Sequence, residues 1–170
     1  MNLGELRAGD LRTVTVGLGE LKISKDAREV LVAYGLGSCI GLAMYDTVSH
    51  VGGLLHALLP ERNGHSEVTA AKYVDSGIAD LLREVLSAGA MRHRLQLGMV
   101  GGANMLTVSD LRRTLNVGER NIAAAQATLT ALNLRPRAQQ IGGTVGRTMR
   151  LYMADGRITV RMAGGEERPL

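Results

Sequence analysis

Residues 35–60 read GLGSCIGLAMYDTVSHVGGLLHALLP. Two apolar runs, Ile40–Tyr45 and Val51–Leu59, flank a polar turn at Asp46–His50, the pattern of two antiparallel neighbours buried in a sheet. The chain's single cysteine, Cys39, stands just before the first run, and His56 lies inside the second. Antiparallel pairing would bring these residues together although they lie seventeen positions apart in sequence. Their juxtaposition points to a thiolate–imidazole pair, in which the ring takes the thiol proton and the sulfur becomes a nucleophile.

Gly35, Gly37 and Ser38 lead into Cys39. Glycines before a nucleophile let backbone amides converge on one point, so Gly37 and Ser38 are candidates for steadying an oxyanion. Each feature also has a plain structural reading. A buried Cys is commonly a small hydrophobe, a His in an apolar run is commonly a core group, and GLGS is commonly a tight turn. GLGS lacks the Lys and the spacing of a phosphate-binding loop.

Working outward, Val14 and Val16 alternate with threonines in a strand broken near Gly17 and Gly19, and Glu29–Tyr34 reads as an interior strand. Residues 61–67 form a polar loop suited to the rim of a pocket. Residues 68–88 read as a helix, with Val74, Ile78, Leu81, Leu82 and Val85 on one face and Gly89 as its cap. Residues 95–100 alternate as a strand, and GGANML at 101–106 makes a shaped turn after it. Residues 109–115 suggest a short helical turn and 119–133 a second helix. Residues 137–141 suggest a strand and 142–147 a loop. Met149, Leu151 and Met153, then Ile158, Val160 and Met162, alternate around Asp155-Gly156 as a hairpin. Residues 163–170 read as a frayed tail.

The pattern predicts one α+β domain over residues 1–170: a β-rich sandwich with a mixed or antiparallel sheet core and two main helices packed on it.

Hydrophobic residues make up 45% of the 170 and aromatic residues 2%, with no Phe and no Trp, so the core must be aliphatic. So few aromatics argue against base-stacking readers of nucleic acid. The net charge of +4 is mild and its arginines are scattered, which fits a solvated surface before an acidic partner, and duplex DNA last. One Cys excludes an internal disulfide and a Cys-only zinc site. Four scattered His without metal-ligand spacing make neither a metal nor a cofactor expected; His50, His65 and His93 read as surface groups. No membrane-length apolar run and no apolar leader stretch are visible, so a reducing, cytoplasmic setting without membrane insertion is expected.

LGSCIGLAMYD followed by GGLLHALLP resembles the signature of the CheD family, chemoreceptor glutamine deamidases of bacterial chemotaxis. VGLGELKIS, KYVDSGIADLL, VGGANML, VGERNIAAAQATL and GGTVGRTMRLYMADGRITV extend the likeness over most of the chain. The resemblance implies a cytoplasmic enzyme that converts glutamines of chemotaxis receptors to glutamates and hydrolyses glutamyl methyl esters there. It implies Cys39 as nucleophile, His56 as its base, a CheC-like phosphatase as a partner, and a β-rich α/β sandwich related to deamidating toxins. The family pattern commonly has a Thr six positions before the Cys as a third catalytic residue; here that position is Ala33. An alanine cannot hold an imidazole through its side chain. A backbone carbonyl or another side chain, with Tyr34 and Thr47 as hydroxyl candidates, must then orient His56. A binding module that keeps the fold without turnover, docking on chemoreceptors or a CheC-like phosphatase, is the alternative that Ala33 favours; a small-molecule cysteine amidase is a third.

Overall fold

The computed structural model describes residues 10–64, 69–105 and 117–170. Among the described residues, ten strands and two α-helices run in the order β1 (Arg12–Thr15), β2 (Glu20–Ser24), β3 (Glu29–Leu36), β4 (Ile40–Asp46), β5 (Gly52–Ala57), α1 (Val74–Ser87), β6 (Leu95–Gly101), α2 (Val117–Ala131), β7 (Ala138–Ile141), β8 (Arg147–Tyr152), β9 (Ile158–Met162) and β10 (Glu167–Pro169). They form two five-stranded sheets, one ordered β1-β3-β8-β9-β10 and the other β2-β5-β4-β6-β7. β1 runs parallel to β3 and β6 parallel to β7, while the remaining pairs are antiparallel. The expected α+β sandwich with mixed sheets and two packed helices is the architecture found.

The period-two alternation decides how the layers stack. Ala43, Tyr45, Leu54 and Val100 of the second sheet pack against Leu31, Ala33, Leu36, Met149, Leu151 and Val160 of the first. On the opposite face, Ile40, Leu42, Met44, Leu55, Leu97 and Met99 meet the helices. β4 and β5 are therefore buried on both faces and carry near-continuous apolar runs. The α1 stripe of Val74, Ile78, Leu81, Leu82 and Val85 lies in this helix layer. Each such side chain, fully buried, contributes about 1.5–3 kcal/mol. Gly89, at φ +110, follows the end of α1, and Ala90 N–H closes back on Val85 O at 3.0 Å.

The break read near Gly17 and Gly19 separates β1 from β2, and the two strands join different sheets. One sequence expectation needs correction. Residues 167–169 do not fray: β10 pairs antiparallel with β9, and Glu167 accepts hydrogen bonds from Tyr152 and Thr159 hydroxyls. The helical turn expected at 109–115, His65 and much of the 61–67 loop lie outside the described residues. His50 is less of a surface group than its polar neighbours suggested, since its Nδ1 meets the Tyr45 hydroxyl at 2.9 Å.

Candidate active site at Cys39 and His56

β4 and β5 pair with Gly41 opposite His56 and Ile40 opposite Ala57. Residues directly opposite in an antiparallel pair share a face. Cys39 immediately precedes β4, in the bend that leads into it. Cys39 and His56 lie at the end of the sandwich, on the face turned toward the first sheet, where Cys39 packs against the inter-sheet cluster. The space over Gly41 is filled from the first sheet: a Cβ there would lie 2.7 Å from Leu36 Cδ1 and 3.1 Å from Met149 Sδ.

His56 is 2% exposed. Its Nδ1 lies 3.2 Å from the carbonyl oxygen of Val16. A carbonyl only accepts, so Nδ1 carries the hydrogen and Nε2 keeps its lone pair. Nε2 is buried and has no hydrogen-bond partner among the described residues. The orienting group is thus a backbone carbonyl. Neither named hydroxyl takes that place: Tyr34 is half exposed and Thr47 lies in the turn at the far end of β4. Ala33 is fully buried in the inter-sheet core and pairs with Met149.

Cys39 is a free, half-buried thiol. Burial pushes its pKa up, opposed by its own backbone N–H, which favours the thiolate. Burial also pulls the His56 pKa down, opposed by the Val16 contact. Both shifts favour uncharged groups, and Nε2 makes no hydrogen bond to sulfur. Burial thus favours the neutral thiol and the neutral imidazole over their charged forms.

The loop that carries Cys39 is held from three sides. Gly102 N–H donates to Cys39 O at 2.9 Å and Ala103 N–H to Gly37 O at 2.7 Å, so the GGANM turn braces the nucleophile loop. Gly101 has φ +122, and a Cβ on it would lie 2.0 Å from Cys39 O, which excludes any side chain. From the helix layer, Asn121 Nδ2 donates to Ser38 O at 2.8 Å and to Leu58 O at 2.9 Å. Of the two backbone-support residues named from sequence, Gly37 has its N–H taken by Gly35 O at 2.9 Å.

Sequence reasoning missed Val16 and Asn121. Val16 acts through its carbonyl, which residue type does not disclose. Asn121 lies in the GERN stretch, and a polar residue on a helix reads as a solvent-facing one. A cavity of about 350 Å³, lined among others by Tyr34, Gly146, Arg150, Arg161 and Met162, adjoins this end of the sandwich. The exposed Met105 lies between it and the Cys39 loop, against Gly37 and Gly146. Among the described residues no group of His, Cys, Asp and Glu could hold a metal ion, and no helix is long and apolar enough to cross a membrane.

A family profile described as CheD chemotactic sensory transduction matches residues 58–162. A protein of Symbiobacterium thermophilum named "Probable chemoreceptor glutamine deamidase CheD" is 41% identical over 163 residues, covering 95% of this chain and 99% of its own. A Pyrococcus abyssi protein of the same name is 44% identical over 160 residues, covering 91% of this chain and 95% of its own. The chain belongs to the CheD family.

Proposed function

We propose that the protein is a chemoreceptor glutamine deamidase in which Cys39 is the nucleophile and His56 the proton carrier. The single observation that carries the mechanism is the His56 ring: Nδ1 is tied to Val16 O, and Nε2 is a buried base, unpartnered among the described residues, on the inter-sheet side where Cys39 also packs. The substrate class rests on the names borne by the relatives.

A receptor glutamine entering the site brings its carboxamide carbon to Cys39 Sγ. Sulfur bonds to carbon as the thiol proton passes to Nε2, and the oxyanion is met by the amides of Ser38 and Cys39. The C–N bond then breaks. His56 returns its proton to the leaving nitrogen, ammonia departs and a thioester remains. Water gives one proton to Nε2 and adds to the thioester carbonyl. The C–S bond breaks, sulfur takes the proton back, and glutamate is released. A glutamyl methyl ester would enter by the same route, with methanol in place of ammonia.

A neutral resting pair suits this sequence of steps. The thiol stays inert until a carbonyl is docked, and excluding water then strengthens the proton transfer. Ala33 favours a competing reading, a binding module without turnover, which a CheC-like phosphatase partner would also fit. Incubation with the cytoplasmic fragment of a chemoreceptor from the same organism separates the two. The expected result is a gain of about 1 Da per converted glutamine, as NH2 is replaced by OH, and none with Cys39→Ala. Equal binding by both proteins with no mass gain from either would establish the binding module instead.

A further inference from the structure

We infer that Asn121 is a positioning residue for this site: its side-chain amide locks the peptide preceding the nucleophile and the chain just beyond the histidine strand into one register. The inference rests on the deamidase reading for its kinetic consequence, but its geometry stands apart from that reading.

Asn121 is fully buried on α2, the helix after the GGANM turn. Its Nδ2 has two hydrogens, and both are used, one on Ser38 O and one on Leu58 O. Both acceptors are carbonyls, so the orientation of the amide is fixed by chemistry. Ser38 immediately precedes Cys39, and Leu58 follows His56 by two residues. One side chain therefore joins the two segments whose relative placement decides whether sulfur and Nε2 meet.

The contact to Ser38 does more than tether a loop. In a planar trans peptide the C=O and the following N–H point in opposite directions. Holding Ser38 O toward α2 turns the Cys39 N–H away from the helix. That N–H is the one that favours the Cys39 thiolate. The helix can approach this closely because residue 118 is Gly; a Cβ there would lie 2.7 Å from Gly102 O.

Two measurements on the intact protein, made well below the Tm of every variant, test the inference. One is kcat and KM for deamidation of a chemoreceptor cytoplasmic fragment; the other is the pH midpoint of Cys39 alkylation by iodoacetamide. Asn121→Ala is expected to lower kcat about 10²-fold, the scale of a small misplacement at a reacting centre. KM is expected to be unchanged and the alkylation midpoint to move to higher pH. Asn121→Gln, which keeps the donor on a longer arm, is expected to fall between, and carries the test if the alanine variant does not fold. Leu129→Ala, also buried on α2, serves as a stability control and is expected to lower Tm while leaving kcat and the midpoint as in wild type. Wild-type kcat and midpoint in Asn121→Ala would overturn the inference, as would equal losses in Leu129→Ala. If wild type deamidates nothing, the functional reading fails by itself and the alkylation midpoints alone decide the role of Asn121.

Discussion

His56 presents its Nδ1 to the carbonyl oxygen of Val16 at 3.2 Å, and this contact leaves Nε2 as the free base. Burial lowers the pKa of the ring, so the base persists below the ordinary imidazole value of about 6.5. The acid limb of kcat/KM should therefore have its midpoint below about 6.5. A midpoint above that value would mean an imidazolium stabilised by a preformed thiolate. His56→Gln should lower kcat about 10²–10⁴-fold, the usual contribution of a positioned proton carrier.

The same shift makes folding stability depend on pH. The folded ring resists protonation that the unfolded ring accepts, so the unfolded state binds more protons once the pH falls below about 6.5. Stability from this residue is complete above the unfolded value and is lost as pH falls toward the lowered folded value. Urea midpoints measured across that window should fall less steeply for His56→Gln than for wild type.

Ala33→Thr restores the side chain common in the family, but Nδ1 is already occupied by Val16 O. The position is fully buried between Leu31 and Met149 neighbours in the inter-sheet core. Added bulk there should cost about 1–3 kcal/mol. The expected result is a lower Tm with no gain in kcat; a large gain would show that Val16 holds the ring poorly.

Gly101→Ala places a methyl group where Cys39 O now lies. The backbone at φ +122 is also hostile to any side chain. The nucleophile loop must move, so turnover should fall at least about 10²-fold, with a clear loss of Tm. Gly64→Ala is the comparison: its φ is also positive, but a Cβ there meets nothing among the described residues. It should leave turnover unchanged.

Asp46 ends β4 at the opposite end from Cys39 and is fully buried. Burial alone would raise its pKa. The Arg94 guanidinium and the N–H groups of Met91, Val48 and Ser49 reverse that and hold it well below the usual carboxylate range. Its contribution is complete above the unfolded carboxyl value and is lost as pH falls through the lowered folded one. Asp46→Ala strands the Arg94 charge and should cost about 3 kcal/mol in a chemical-denaturation experiment. The Cys39 alkylation midpoint should not change.

What was legible in the sequence follows from where the information lay. The β8–β9 hairpin, the α1 stripe and the β4–β5 pair announce themselves through periodicity and turn residues, and Leu151 does face Ile158. Cys39 and His56 stand out because a lone thiol and an imidazole interrupt apolar runs. The break between β1 and β2 was marked by Gly17 and Gly19, but the change of sheet was hidden, because two short strands of one sequence segment give no sign of joining different sheets. β10 was hidden because its residues are exposed and polar, and only the backbone ladder orders them. Val16 acts by its carbonyl and Asn121 by burial in a helix, and neither property is written in residue type.

The most direct measurement is the intact mass of the protein after rapid acid quench from a mixture with the chemoreceptor fragment. The expected species is a covalent adduct of the two chains less ammonia, mapped to Cys39, transient in wild type and absent in Cys39→Ala. Deamidated receptor accumulating with no adduct at Cys39, and at the same rate in Cys39→Ala, would contradict the thiol as nucleophile.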